Sequence, residues 1–275
     1  MTDSKNTRKI AILYVCTGEY VIFWKDFFTT CEKYFIPEMR KEYFVFTDAK
    51  EIEYEKENSN IHKIFQKNLG WPNMVIKRYE ITLRAEKYLS NFTYAYFFNA
   101  NTLFIQEITP EEFLPILPQK FVAWQHTWFF NKNKNEFTYD RNPKSSACIP
   151  MNKWEYYFWS GITGWFLNDY LNAIHYLNTK TKEDERNNII ALWHDESHWN
   201  KYLLDKIQIT KILAPNYLYP EWCGLPLAPK ILLRDKRKYG TLFFKIFIFW
   251  KMRYLSRKNL YHLLRKIKSI LTARH

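Results

Sequence analysis

Two pairs of polar residues stand where chemistry would be done. Asn99-Ala100-Asn101 closes the buried-looking run Tyr94–Asn99 with two amides one residue apart. Carboxylates at that spacing would hold a hard divalent ion against an anionic ligand, whereas an amide oxygen is a weak, neutral donor. With the charge gone, such a ligand is expected to be held without a metal. The second pair, Asp195-Glu196, opens a segment that reads as a helix over Asp195–Asp205. Carboxylates in a first helical turn either complement the helix N-terminus or serve a substrate as nucleophile or counter-charge.

The elements that must position these groups alternate. Strand-like runs lie at Ile10–Cys16, Tyr43–Thr47, Tyr94–Asn99 and Phe121–Gln125, and helices are expected over Val21–Phe35, Met74–Leu89 and the short Pro110–Leu114. That order indicates an α/β fold with a mostly parallel central sheet. Ligands of such sheets bind beyond the carboxyl ends of the strands, where Asn99 and Asn101 sit. Asn131–Pro150 is polar and aperiodic and reads as a long loop, a common form for a binding loop or lid.

The chain of 275 residues is long enough for one large domain or two modest ones. Aromatics form 19% of it, in clusters such as Trp128-Phe129-Phe130 and Tyr156-Tyr157-Phe158-Trp159. Such clusters pack cores, and their flat faces also stack on sugars and nucleobases. The four cysteines, Cys16, Cys31, Cys148 and Cys223, never fall at CxxC spacing, so neither a zinc nor a redox motif is expected. Met1 to Lys9 is polar and the first apolar run reads as a strand, so a reducing, cytoplasmic location is expected.

The net charge of +13 is unevenly spread: residues 236–275 carry twelve Lys or Arg and no acid, leaving about +1 for the rest. A domain over 1–238 is therefore read apart from a tail over 239–275. The tail's run from Leu242 to Trp250, interrupted by Lys245, is too short to span a bilayer. Cations interspersed with Leu and Ile follow. The pattern fits a basic amphipathic helix on an anionic membrane surface better than a helix packed on a partner or on the domain, or a nucleic-acid partner.

Four segments resemble the family 6 glycosyltransferases, which include the histo-blood-group A and B transferases and the α-1,3-galactosyltransferases. Val15-Cys16-Thr17-Gly18-Glu19-Tyr20 is similar to the family's uridine-binding opening. Phe137-Thr138-Tyr139-Asp140-Arg141-Asn142-Pro143, with His126 upstream, is similar to its acceptor loop. Tyr156 to Gly164 is similar to its sugar-specificity segment, and Trp193-His194-Asp195-Glu196-Ser197-His198-Trp199-Asn200-Lys201 to its catalytic helix. The likeness spans roughly residues 10 to 238.

The resemblance implies a GT-A fold and retaining transfer of galactose or N-acetylgalactosamine from UDP. The Asn-Ala-Asn form is similar to the bacterial, metal-independent branch, so no cofactor is implied. Glu196 is implied as the catalytic carboxylate, with Asp195 on sugar hydroxyls. Val15 and Tyr20 would flank the uracil within reach of Thr17, Arg78 would bind the donor, and the Asn99-Ala100-Asn101 turn would contact it. Lys236, or alternatively Arg234 or Lys238, would close over the diphosphate.

His126, Thr138, Trp159 and Trp193 would meet a galactoside acceptor, with Glu221 substituting for an acidic family contact. Trp159 and Gly161 match the two positions that set sugar choice. Gly161 leaves room for an N-acetyl group and so implies UDP-N-acetylgalactosamine, with UDP-galactose the alternative. Trp159 is bulkier than the usual residue, and Trp165 stands where the family has Gly. The acceptor implied is a fucosylated galactose on a lipopolysaccharide or other surface glycan, reached from the inner face of the membrane.

Overall fold

The computed structural model describes residues 8–151, 153 and 156–240. The chain divides into two compact units, 1–234 and 235–275. Beyond Gly240 the expected amphipathic tail lies outside the described residues.

In the first unit the order is β1 (Lys9–Val15), α1 (Trp24–Tyr34), β2 (Arg40–Thr47), β3 (Ile61–Phe65), α2 (Asn73–Ile76), α3 (Arg78–Leu83), β4 (Tyr94–Phe98), β5 (Thr102–Phe104) and α4 (Pro110–Phe113). There follow β6 (Phe121–Gln125), β7 (Phe158–Trp159), β8 (Ile162–Phe166), α5 (Leu167–Arg186), α6 (Asp195–Leu204), β9 (Thr210–Leu213), β10 (Tyr219–Pro220) and β11 (Ile231–Leu233). The unit is mixed α/β.

Its main sheet has the order β3-β2-β1-β4-β8. The first three pairings are parallel and β8 runs antiparallel to β4. β1 and β4 are buried almost throughout, which is why both read as continuous apolar runs rather than alternating ones. From β1 the chain builds outward through β2 to β3, and β4 joins on the other side. A crevice therefore opens at the carboxyl ends of β1 and β4, where ligands of such sheets bind. Val15-Cys16-Thr17 and Asn99-Ala100-Asn101 both emerge there, tied by Tyr14 Oη donating to the Ala100 carbonyl at 2.6 Å.

β8 lies so close to β4 that a Cβ on Gly164 would come within 2.3 Å of the Ala95 carbonyl oxygen, so this position takes only glycine. Its neighbour Trp165 points to the other face and stacks on Trp199 of α6 at 5.2 Å. Leu167, Tyr170, Ala173, Ile174 and Leu177 of α5 line the same core at helical spacing. Two small three-stranded sheets, β7-β6-β9 and β10-β11-β5, complete the unit.

Several elements differ from the sequence expectation. The helix expected over Met74–Leu89 is broken: the backbone leaves α-geometry at Lys77, and α3 restarts at Arg78. The expected Val21–Phe35 helix begins as a 3-10 turn over Gly18–Phe23. The twenty-residue α5 and strands β3, β5 and β7 to β11 were not expected. All four cysteines are unpaired, and burial pushes the Cys16 and Cys31 thiols up to about 12, which leaves them inert. Among the described residues no helix is long and apolar enough to cross a membrane.

The described part of the second unit is a 3-10 turn over Lys236–Lys238 that begins with the expected diphosphate lysine. Asp235 caps it and pairs with Arg237 at 2.6 Å, which holds the Asp235 carboxyl below its usual range.

Candidate active site

Arg78 gathers the crevice. As the first residue of α3 it carries its guanidinium between three elements. Nη1 donates to the Ser160 carbonyl at 2.9 Å and to Asp195 Oδ2 at 2.5 Å, and Nη2 donates to Asn99 Oδ1 at 3.2 Å. Its face covers the Phe97 ring at 4.5 Å. A planar fork with several donors can serve that many acceptors at once, which a lysine cannot. The break at Lys77 thus has a purpose: it turns the chain so that Arg78 faces inward.

Asp195 and Glu196 occupy the first turn of α6. Asp195 is almost fully buried; burial pushes its carboxyl up while the Arg78 guanidinium opposes that rise. Tyr79 Oη donates to the Asp195 carbonyl at 3.0 Å and fixes the turn from the other side. Glu196 remains partly open to the crevice. Burial, then the neighbouring Asp195 charge, raise its pKa to about 8, against the Ser160 N–H, Tyr157 and Arg78. The Ser160 N–H donates to Glu196 Oε2 at 3.2 Å. One carboxylate is thus tied to a cation and its neighbour is held mostly protonated at neutral pH, a division of states typical of acid and base pairs at reactive sites.

The backbone around Ser160 and Gly161 joins the two halves. Asn99 N–H donates to the Gly161 carbonyl at 2.8 Å. A Cβ on Gly161 would stand 2.8 Å from Asn99 Nδ2 and 3.1 Å from Leu218 Cδ2, so the glycine is what admits the Asn99 amide. Trp165, the residue after Gly164, is fully buried in the core. Asn101 is almost fully buried and turns away from Asn99, donating through Nδ2 to the Arg234 carbonyl at 2.7 Å. Arg234 itself pairs with Asp26 on α1 at 2.6 Å.

Next to Ser160, the His126 ring lies flat on Trp159, 3.6 Å between centroids. Burial lowers its pKa well below the usual imidazole value, so it is neutral. The Trp128 N–H donates to His126 Nδ1 at 3.2 Å, which places the ring proton on Nε2. Trp193 Nε1 donates to Thr138 Oγ1 at 2.7 Å. Tyr157, edge-on to His126 at 5.4 Å and within 3.5 Å of Thr138 Oγ1, links the two pairs, which chain connectivity joins to Gly161 through Trp159-Ser160 and to Glu196 through Trp193 to Asp195. Val15, Thr17 and Tyr20 lie at the end of β1, with the half-buried Tyr20 packed on Phe23. Glu221 follows β10 at an exposed position, its N–H donating to the Leu233 carbonyl.

Residues with no individual role assigned from the sequence hold this geometry. Asp140 of the loop accepts from Asn142 N–H at 2.8 Å and from Leu192 N–H at 2.9 Å, just before α6. Asp184 of α5 accepts from Ser145 Oγ and Ser146 N–H, both at 2.8 Å. His194 holds a left-handed backbone (φ 57°) directly before the carboxylates, a conformation that costs a non-glycine residue about 1–3 kcal/mol. Asn200, one turn beyond Glu196, exchanges two 2.9 Å hydrogen bonds with the Phe158 backbone. Its i,i+4 spacing from Glu196 is the one signal the sequence offered. No group of three His, Cys, Asp or Glu able to hold a metal occurs among the described residues.

A family model described as Glycosyltransferase family 6 matches residues 3–238. Over 236 residues the chain is 30% identical to the O-antigen biosynthesis glycosyltransferase WbnI of Escherichia coli, covering 85% of this chain and 98% of that protein. It is 28% identical over 218 residues to histo-blood group ABO system transferase 1 of Rattus norvegicus, covering 77% and 61% respectively. With globoside alpha-1,3-N-acetylgalactosaminyltransferase 1 of Gallus gallus it shares 25% identity over 232 residues, covering 82% and 65%. The chain thus spans under two thirds of the length of these two vertebrate relatives.

Proposed function

Because this chain belongs to glycosyltransferase family 6 and is a hexosyltransferase, we propose that it transfers N-acetylgalactosamine from UDP in α-1,3 linkage to a fucosylated galactose. The reaction retains anomeric configuration, and the fold is of the GT-A type. A bacterial surface glycan such as a lipopolysaccharide is the acceptor, in line with the name of the Escherichia coli relative. Residues 239–275 would keep the enzyme at the inner face of the membrane.

The observation that carries this reading is the Arg78–Asp195 pair with Glu196 beside it, held against the backbone of Ser160. Retaining transfer needs a carboxylate on the face opposite the leaving group, as nucleophile or as counter-charge to an oxocarbenium-like centre. Glu196 takes that part once ionised. The C1–O bond to UDP breaks with its electron pair on the β-phosphate, and the acceptor oxygen takes C1. The acceptor's proton leaves to that phosphate or to solvent. Asp195, held by Arg78, receives the hydroxyls of the donor sugar, and the neutral His126 donates from Nε2 to the acceptor.

The amides do not fit a divalent ion. Asn99 Oδ1 already accepts from a guanidinium, and Asn101 turns its nitrogen to a carbonyl, so no pair of oxygens is presented. Cationic side chains therefore carry the charge that develops on UDP. Gly161 favours the N-acetylated donor, and UDP-galactose is the alternative.

The decisive assay measures transfer from UDP-N-acetylgalactosamine and UDP-galactose to a fucosyl-α-1,2-galactoside in excess EDTA. Turnover there, fastest with the N-acetylated donor, is the expected result. Silence in EDTA with rescue by Mn²⁺ would overturn metal independence, and a preference for UDP-galactose would reassign the donor.

A further inference from the structure

We propose that the two amides of Asn99-Ala100-Asn101 have separate tasks, and that Asn101 is a positioning residue that latches the donor-binding turn to the strand end at Arg234. The hydrogen bonds run both ways. Asn101 Nδ2 donates to the Arg234 carbonyl at 2.7 Å, and the Arg234 N–H donates to the Asn101 carbonyl at 2.9 Å. Arg234 is anchored in turn, with Nη1 on Asp26 at 2.6 Å and Nη2 on the Phe23 carbonyl at 3.2 Å. The turn that presents Asn99 is thereby pinned to β11 and through it to α1.

The chemistry of the second amide follows from its partner. A carbonyl oxygen accepts only, so the group facing it must donate, and the nitrogen of Asn101 is fixed in that direction. The remaining oxygen, Asn101 Oδ1, is enclosed and meets no hydrogen-bond partner among the described residues. It is the nitrogen that the position requires. An ionised aspartate would set an anionic oxygen against the Arg234 carbonyl and bury a second one without a donor. Asn99 differs: its oxygen accepts from Arg78 and its side chain is only half-buried, so its partner is a cation.

The proposal predicts a pH-reversible defect. The charged and titratable groups that the hydrogen bonds bring near Asn101 include Arg234, just past β11, with its partner Asp26 on α1 and its neighbour Asp235, and Tyr14 on β1, whose hydroxyl is bonded to the Ala100 carbonyl and which lies within electrostatic reach of Cys16. Arg234 and Asp26 compensate each other, so burial dominates and an aspartate placed there keeps its proton into the mildly acidic range. A protonated carboxyl donates one hydrogen bond, as the amide does.

The experiment compares wild type, Asn101→Asp and Asn101→Ala at pH 6 and pH 8, reading UDP affinity by calorimetry, acceptor KM, and melting temperature without ligand. The expected result for Asn101→Asp is UDP binding about tenfold weaker than wild type at pH 8 and within about threefold at pH 6. Asn101→Ala, which has no proton to regain, stays about tenfold weaker at both, and acceptor KM is unchanged throughout. Wild-type affinity from Asn101→Asp at pH 8, or an equal loss in both variants at both pH values, overturns the latch. This inference rests on UDP being the donor nucleotide. Should wild type bind no UDP, the melting temperatures decide alone: Asn101→Asp must approach wild type at pH 6 and fall below it at pH 8.

Discussion

The Arg78 guanidinium and the Asp195 carboxylate stand 2.5 Å apart, with 12% and 3% of their side chains exposed. A pair so far from water is costly to break, because the partner left behind is a buried, uncompensated charge. Arg78→Ala is therefore expected to destabilise the protein by about 3 kcal/mol and to abolish transfer. Combining it with Asp195→Asn recovers part of that stability but none of the activity. A double-mutant cycle by denaturant unfolding checks it; strictly additive losses would refute the coupling.

Glu196 gives a second test, in which activity and stability move in opposite directions. Glu196→Gln should lower transfer about a thousandfold while UDP binding survives. The same variant should be the more stable protein at neutral pH. A carboxyl whose pKa is raised on folding to about 8 holds its proton when the unfolded chain has lost it, so the wild type loses stability as pH rises from about 4.5 to 8. Glutamine does not titrate. Allowing for the open side of Glu196, the gain at pH 7 is on the order of 2 kcal/mol and vanishes near pH 4.5. Thermal melts at pH 4.5 and pH 7 read the difference.

The same shift governs rate. If the ionised carboxylate acts at the anomeric centre, kcat/KM rises with pH along a limb centred near 8 in the free enzyme. A profile flat from pH 6 to pH 9 would mean that Glu196 is already ionised or not required.

Trp193→Phe removes the 2.7 Å hydrogen bond to Thr138 and keeps the flat ring. Acceptor KM should rise about fivefold, with donor KM unchanged. A matched rise in both constants would place Trp193 in the donor half.

Much of this was legible in the chain because certain signals are local. β1, β4 and β6 announce themselves as apolar runs, and Trp193 to Lys201 carries its chemistry in adjacent residues. α5 escaped because its second half, from Asn178 to Arg186, is almost wholly polar; one apolar stripe over its first half holds it to the core. The helix interruption before Arg78 is not legible because residues 73–89 contain no Gly or Pro, while the bonds of the Arg78 side chain to Ser160, Asp195 and Asn99 are long-range. Ser160 and Asp140, inside segments that resemble the family, and Asp184, outside them, have roles that were not legible for another reason. They act through backbone groups or on partners far away in sequence, and linear spacing records neither.

Asp140 also bears on how the protein can be re-engineered. Its one carboxylate serves both the loop over residues 131–150, at Asn142, and the approach to α6, at Leu192. Loop and helix are therefore not interchangeable modules. A graft of residues 131–150 from a relative with another acceptor taste would need to bring an equivalent acid, or the helix carrying Asp195 and Glu196 would lose a fixed point. Single substitutions at His126, Thr138, Trp159 or Trp193 leave that shared anchor untouched.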